Sequence, residues 1–276
     1  MIGQTKLLET IDNLLEKGFP RFLIIQGALG SGRKTISEII ARKLNATFAT
    51  SETKTEDVRN TITTSYRVST KTLYLIPNAD KMHRNAKNSL LKVTEEPPAR
   101  AYFILTIADK GAILDTLLSR GVCIKMDDYT KEDKIDYIKS KYPNYSDFIS
   151  SGVAGKLDYI INTCDTFREV DLLISYGIEE FKKFCDLTAQ HIRTAGIANT
   201  LKIPKKLKLK EEDTGYDPQL FLKSVVYAFH ELLEKRPDAK LADAIALTLK
   251  CAGELNITGI NKLATLDNWI FELREL

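Results

Sequence analysis

The sequence predicts an α/β domain built on a five-stranded parallel sheet, followed by an all-helical region. Two observations carry this. Five short apolar runs, "FLIIQ" (22–26), "TFAT" (47–50), "TLYLI" (72–76), "YFILTI" (102–107) and "VCIKM" (122–126), alternate with helix-like stretches over the first 127 residues. Runs of this length suit strands buried on both faces, and the stretches between them supply the crossovers that parallel pairing needs. After "KMDDYT" such runs stop, and the chain reads as helices separated by the turn signals "KYPNY", "SSGVAG", "EEDTGYDP" and "KRPDAK".

Each element follows from its pattern. The opening segment places Leu7, Leu8, Ile11, Leu14 and Leu15 on one helical face, interleaved with acids that a secretory signal lacks. The loss of β-like runs sets a boundary near residue 128, giving an α/β core over 1–127. Three short helices fit within 130–167, which is read as a small helical domain over 128–167. The longer patterns "DPQLFLKSVVYAFHELLEKRPD" and "AKLADAIALTLKCAGELN" suit a bundle over 168–276. Trp269, Ile270, Leu273 and Leu276 share one helical face, as core or as subunit contact.

Composition narrows the function classes. With 276 residues and 43% hydrophobic content the chain supports globular cores, which excludes a disordered chain. Its 40 basic and 37 acidic residues leave a net charge of +3, so nucleic acid is permitted as a partner and not demanded. Cys123, Cys164, Cys185 and Cys251 are far apart and lack the spacing of a zinc site or disulfide framework. His83, His191 and His230 form no ligand cluster, and no metal site is expected. No segment approaches the ~18 apolar residues of a membrane span, so the expectation is a soluble cytoplasmic protein.

Behind the first apolar run, "GALGSGRKT" (27–35) has the glycine spacing of a phosphate-binding loop. In such a loop backbone N–H groups and the helix N-terminus cradle phosphates, a lysine reaches the β and γ phosphates, and Ser or Thr holds magnesium. Anchoring on Gly27, Gly30 and Gly32 puts Arg33 at the lysine and Lys34 at the hydroxyl. The planar guanidinium is no drop-in replacement for an ammonium. Lys34 offers magnesium no lone pair and repels it. Thr35 falls one residue late, about 100° further round the helix. A glycine-rich turn without any ligand is the alternative. The later stretch "LYLIPNADKM" lies where the acidic strand of the same site belongs, yet Pro77 and Asn78 occupy the positions of the metal-organising and water-activating acids. Asp80 is the nearest substitute acid.

The stretch "NADKMHRNAKNSLLKVTEEPP" (78–98), followed by "YFILTIADKGAILDTLLSRGVCIKM" (102–126), resembles the clamp-loader branch of the AAA+ ATPases, in particular its bacterial delta-prime subunits. The resemblance covers roughly residues 20–126, with domain layout and "SSGVAGKLDYI" (150–160) extending it. It implies an AAA+ core, a helical lid and a C-terminal collar bundle that joins a ring of related subunits. It implies that Ser119 and Arg120 stand in the Ser-Arg-Cys motif, with Arg120 an arginine finger reaching a neighbour's nucleotide site. A finger supplied in trans is worth about 10³ to 10⁵ in turnover. Lys156 takes the second-sensor position usually held by arginine, and the first sensor falls on Ile107 or Ala108. Gly121 replaces the motif's cysteine, and the zinc insert of many relatives is absent.

The resulting expectation is a non-hydrolysing, delta-prime-like subunit of the clamp loader in DNA replication. Its partners would be ATPase motor subunits, the sliding clamp and primer-template DNA, with no membrane partner. No cofactor is required; static ATP or ADP at Gly27, Gly30, Gly32, Arg33, Lys34, Thr35 and Lys156 stays open. An active motor ATPase with an atypical site is the alternative. Two weaker signals concern DNA: Arg59 on the helix opened by "TEDVRNTI" (55–62), and "KIPKKLKLK" (202–210), read either as phosphate contact or as a solvated inter-helix loop.

Overall fold

The computed structural model describes residues 2–142, 144, 154–192, 196–210, 212–257 and 259–276. The chain forms two compact units, Met1–Asp133 and Lys134–Leu276.

The first unit opens with helix α1 (Thr5–Lys17), followed by strand β1 (Phe22–Gln26), α2 (Arg33–Lys43), β2 (Thr47–Thr50), α3 (Thr55–Ser65) and β3 (Thr72–Ile76). Then come α4 (Arg84–Glu95), β4 (Ala101–Ile107), the short α5 (Asp115–Leu118) and β5 (Val122–Lys125). The five strands are the five runs expected, and they pair in parallel in the order β2-β3-β4-β1-β5. Central strands β3 and β4 are buried along their whole length, whereas edge strand β2 is exposed at both ends.

Because strand side chains alternate between faces, each strand feeds two cores. Phe22, Ile24, Tyr74, Ile76, Phe103 and Leu105 pack with Val58 of α3, Leu90 and Val93 of α4 and Leu117 of α5. Leu23, Ile25, Leu73, Leu75, Tyr102 and Ile104 pack with Leu7 and Ile11 of α1 and Ile36 and Ile40 of α2. Register is therefore strongly fixed, since a one-residue slip would exchange the two sets.

The described helices from residue 131 on are α6 (Lys131–Lys141), α7 (Ala154–Thr163), α8 (Phe167–Tyr176), α9 (Ile178–His191), α10 (Ile197–Thr200), α11 (Pro218–Lys235), α12 (Ala239–Glu254) and α13 (Lys262–Glu275). Helix starts follow their caps. Thr166 and Glu169 form a reciprocal capping box on α8, and Asp217 caps α11 ahead of Pro218. Within 130–167 the described helices are α6 and α7; positions 143 and 145–153 of that expected region lie outside the described residues.

One apolar cluster runs through the second unit from Ile138 to Leu273. The expected lid and collar segments thus draw on a shared core. Trp269, Ile270 and Leu273 belong to it, and the Trp269 indole donates to Thr248 Oγ1 at 3.0 Å. Among the described residues no helix is long and apolar enough to cross a membrane, no group of His, Cys, Asp or Glu could hold a metal ion, and the four cysteines are free thiols.

Candidate functional site

The glycine turn links the end of β1 to the start of α2. Gly27 N–H donates to the Ile107 carbonyl at 3.0 Å, tying the turn to β4. Gly30 and Gly32 have φ of 89° and 90°, left-handed values that favour glycine, and Gly32 is the N-cap of α2. The loop closes tightly, because a Cβ on Gly27 would lie 2.7 Å from Ser31 Oγ. Ser31 is buried, donating to Met126 Sδ at 3.3 Å while its carbonyl accepts from Tyr129 Oη at 2.6 Å.

Side chains at the next three positions diverge. Arg33 is turned inward and only 6% exposed, and its Nη2 donates to Asn78 Oδ1 at 2.9 Å. Its Nη1 is buried without a hydrogen-bond partner among the described residues. Burial lowers the Arg33 pKa from its ordinary value, opposed by the Asp80 carboxylate. Lys34 points outward with its side chain 68% exposed, 4.0 Å from Glu38. Thr35 is also exposed.

The far side of the site is built by the end of β3. Asn78 takes a left-handed φ of 49°, tolerable for asparagine, and its N–H donates to Thr106 Oγ1 at 3.1 Å. Asp80 is buried, with Oδ2 accepting from the N–H groups of Ala108 at 3.2 Å and Asp109 at 3.4 Å, and Oδ1 unpartnered among the described residues. Lys87 joins this cluster from the buried stripe of α4. Its Nζ donates to the carbonyls of Asp80 at 2.8 Å and Ala112 at 2.6 Å. Burial lowers the Lys87 pKa, again opposed by Asp80. At the first-sensor position, Ile107 is fully buried in β4 and Ala108 contributes its backbone N–H.

These residues do not fit magnesium-nucleotide chemistry. The position that should hold magnesium carries an outward ammonium. The arginine that should face phosphate is bonded to the asparagine standing where an acid should be. The carboxylate nearest the site is bonded to backbone amides and flanked by buried cations. The two altered halves of the site are joined to each other.

Ser119 and Arg120 follow α5. Ser119 Oγ donates to the Thr116 carbonyl at 3.2 Å, and Arg120 is exposed. The Arg120 guanidinium is held by two acceptors, the Glu95 carboxylate through Nη2 and the Thr116 carbonyl through Nη1. Gly121 has a packing reason, since a Cβ there would meet the Phe22 ring at 2.8 Å. Lys156 lies in α7 and forms an ion pair with Glu179; positions 150–153 of the segment that suggested it lie outside the described residues. Arg59 Nε donates to Ser89 Oγ at 3.4 Å.

Thus Gly27, Gly30, Gly32 and Arg33 come together with Asn78 and Asp80. Lys34 and Thr35 face away, and Arg120 is bonded to α4 and α5 residues. Sequence reading missed Lys87 and Glu95. A signal existed for Lys87, which shares the apolar stripe of α4 with Leu90 and Thr94. The Glu95–Arg120 pair, 25 positions apart, had none.

Comparison with known proteins agrees with this architecture. Residues 50–130 match the family described as DNA polymerase III, delta subunit. DNA polymerase III subunit gamma of Buchnera aphidicola subsp. Schizaphis graminum is 28% identical over 171 residues, 50% of this chain and 47% of the relative. Subunit delta' of Buchnera aphidicola subsp. Baizongia pistaciae is 38% identical over 85 residues, 31% of this chain and 25% of the relative. Subunit tau of Bacillus subtilis aligns along 100% of this chain at 21% identity, covering 49% of the relative. The chain therefore spans about half, or less, of the length of these relatives. Among solved structures, a gamma subunit-related protein of Thermotoga maritima shares the fold with a TM-score of 0.53 at 17% identity, over 97% of this chain and 98% of that one. A RuvB variant of Thermotoga maritima gives 0.50 at 15% identity, over 99% and 88%. With the five-stranded parallel sheet and the glycine turn behind β1, the chain is thus similar in sequence to DNA polymerase III subunits over part of its length and shares its fold with these solved structures.

Proposed function

We propose that this chain is a non-hydrolysing, delta-prime-like clamp-loader subunit that acts in DNA replication and supplies Arg120 in trans to the nucleotide site of a neighbouring ATPase subunit. The observation that carries the first half is the Arg33–Asn78 hydrogen bond, with Lys34 directed to solvent. A site closed on itself in this way needs no nucleotide, and an ATP or ADP held beside the glycine turn would be static. The motor reading needs Asp80 to replace the missing acids, and the Ala108 and Asp109 amides already occupy its Oδ2.

The second half rests on the placement of Arg120 just beyond α5, exposed yet oriented by Glu95 and Thr116. A guanidinium held at a surface is suited to meet phosphoryl charge developing on another subunit. Ser119 stabilises the turn that presents it. In this reading the first unit acts as a fixed wall, residues 128–167 and 168–276 serve as lid and collar, and the partners are ATPase motor subunits, the sliding clamp and primer-template DNA met by the assembled complex. The setting is the replisome in the cytoplasm.

The test is reconstitution with the ATPase subunits and clamp of the same source. Arg120→Ala should lower the ATPase rate of the assembled complex by silencing the site it serves. An unchanged rate removes the trans-finger role. Separately, Mg·ATP turnover by the purified chain, free of contaminating ATPase, would overturn the non-hydrolysing reading.

A further inference from the structure

The lysine-rich segment of residues 202–210 is a built surface. Ile203, Pro204 and Leu207 are buried, whereas Lys202, Lys205, Lys206, Lys208 and Lys210 are all exposed. Its backbone is fixed at both ends. A 3-10 turn spans Pro204–Lys206, and beyond it the chain pairs with the returning segment. Lys208 N–H donates to the Tyr216 carbonyl at 2.8 Å, and Tyr216 N–H to the Lys206 carbonyl at 2.9 Å.

Gly215 permits that closeness, because a Cβ at its φ of 145° would stand 2.6 Å from the Lys206 carbonyl oxygen. Tyr216 anchors the clip, its ring meeting Tyr176 at 5.0 Å and Phe181 at 4.9 Å edge-on. Lys206 lies over the Phe184 ring at 4.8 Å, and Lys202 Nζ donates to Asn199 Oδ1 at 3.1 Å.

Among the described residues none of the five lysines is in an ion pair, and the ammonium groups of Lys205, Lys208 and Lys210 have no hydrogen-bond partner. Of the acids that follow, Asp213 accepts from the Lys210 backbone N–H at 2.9 Å. Beyond the 3-10 turn, Lys208 and Lys210 alternate with the inward Leu207 and Leu209, which sets them about 6.6 Å apart where the segment is extended. Five like charges held on a fixed backbone repel one another, and a polyanion relieves that repulsion without first ordering the loop.

We infer that this loop is a contact surface for the phosphate backbone of nucleic acid. Nucleic acid is favoured over an acidic peptide or an anionic lipid surface because five exposed lysines are concentrated within nine residues on a fixed backbone, which suits the dense charge of a phosphate backbone. The exposed part of the loop carries no large apolar side chain to enter a lipid interface or fill a pocket on a protein partner. Lysines reading phosphates carry no base information, so binding is insensitive to sequence. The inference stands on the loop alone and is independent of the role assigned to Arg120.

The test measures binding of the full chain to a mixed-sequence fluorescent DNA duplex as a function of salt. With five phosphate contacts, raising salt from about 50 to about 200 mM should weaken affinity by about 500-fold, a slope of about −4.5 in log K against log salt. The triple variant Lys205→Gln, Lys208→Gln, Lys210→Gln, whose folding is checked by circular dichroism, should reduce that slope to about −1.8 and the weakening to about 12-fold. A control variant removes the exposed Lys6, Lys17 and Lys71 of the first unit. An unchanged slope in the loop variant overturns the inference, as does an equal loss in the control. Lysine-dependent binding to polyglutamate or to phosphatidylserine vesicles, with none to the duplex, also overturns it.

Discussion

Asp80 is a buried acid set among the cations at the end of β3. It is 8% exposed and stands beside Arg33 and Lys87, which are 6% and 9% exposed. Burial pushes both cations toward their neutral forms, and Asp80 opposes this in each case. Asp80→Asn keeps the shape and retains an oxygen to accept from Ala108 and Asp109, so it removes charge and little else. It leaves two buried cations less compensated; among the described residues Asp80 forms no direct ion pair with either, so the cost should be about 1–3 kcal/mol, below the about 3–5 kcal/mol of breaking a buried ion pair. Urea unfolding followed by far-UV circular dichroism should show the unfolding free energy falling by that amount, seen as a lower midpoint at nearly constant m value. Trp269, the single tryptophan, reports separately on the second unit. Adding Lys87→Met to Asp80→Asn should recover part of the loss, because one stranded cation is then gone. A loss below about 1 kcal/mol, or no coupling between the two substitutions, would refute the charge-cluster argument.

Three further outcomes can be checked directly. Arg33→Lys with Lys34→Thr restores the usual loop residues and should raise affinity for a fluorescent ATP analogue, yet leave the isolated chain without turnover because Pro77 and Asn78 supply no acid; measurable hydrolysis would contradict this. Glu95→Gln acts on a pair whose side chains are 51% and 32% exposed, so fold stability should change by less than about 1 kcal/mol, while the reconstituted ATPase falls by less than with Arg120→Ala and Glu95→Asp partly restores it. Burial raises the Cys164 thiol to about 12 from 9.0, so the fold retains a proton that the unfolded chain has lost. Stability should then fall between pH 9 and about 12 by about 1.4 kcal/mol per pH unit relative to Cys164→Ala, with no such difference below pH 9; parallel stability curves for the two proteins would refute it.

The central strands β3 and β4 were most legible, because each is a short, largely apolar run buried along its whole length with helices on both faces, whereas edge strand β2 is exposed at both ends and half polar. Glycine spacing fixed the turn for a similar reason, since Gly30 and Gly32 need left-handed φ values that few other residues take. What the sequence could not show is where a long side chain goes. Arg33 and Lys34 are adjacent cations, yet one is buried against Asn78 and the other is in solvent, because successive helical positions differ by about 100°. Glu95 could not be assigned to Arg120 without knowing that the end of α4 lies beside α5. Lys87 was legible in principle, being polar at an apolar stripe position, but its acceptors are carbonyl groups at 80 and 112 that only folding brings together.

That the glycines persist where the phosphate chemistry has changed follows from the same geometry. Gly30 and Gly32 turn the chain from β1 into α2 and set the direction in which the first residue of that helix projects. With lysine there, the direction leads to phosphate; with Arg33, it leads over the sheet to Asn78, across the position of β4. In the proposed non-hydrolysing reading the turn thus keeps a conformational task without a catalytic one. It joins the ends of β1 and β3 through side chains, where an active site would join them through nucleotide and metal. A core closed in this way does not wait for ligand to reach its working shape. The prediction for Arg33→Lys with Lys34→Thr therefore carries a second consequence. By breaking the bond to Asn78 it should destabilise the nucleotide-free chain, and ATP should restore the lost stability in proportion to its binding, which the parent protein should not show.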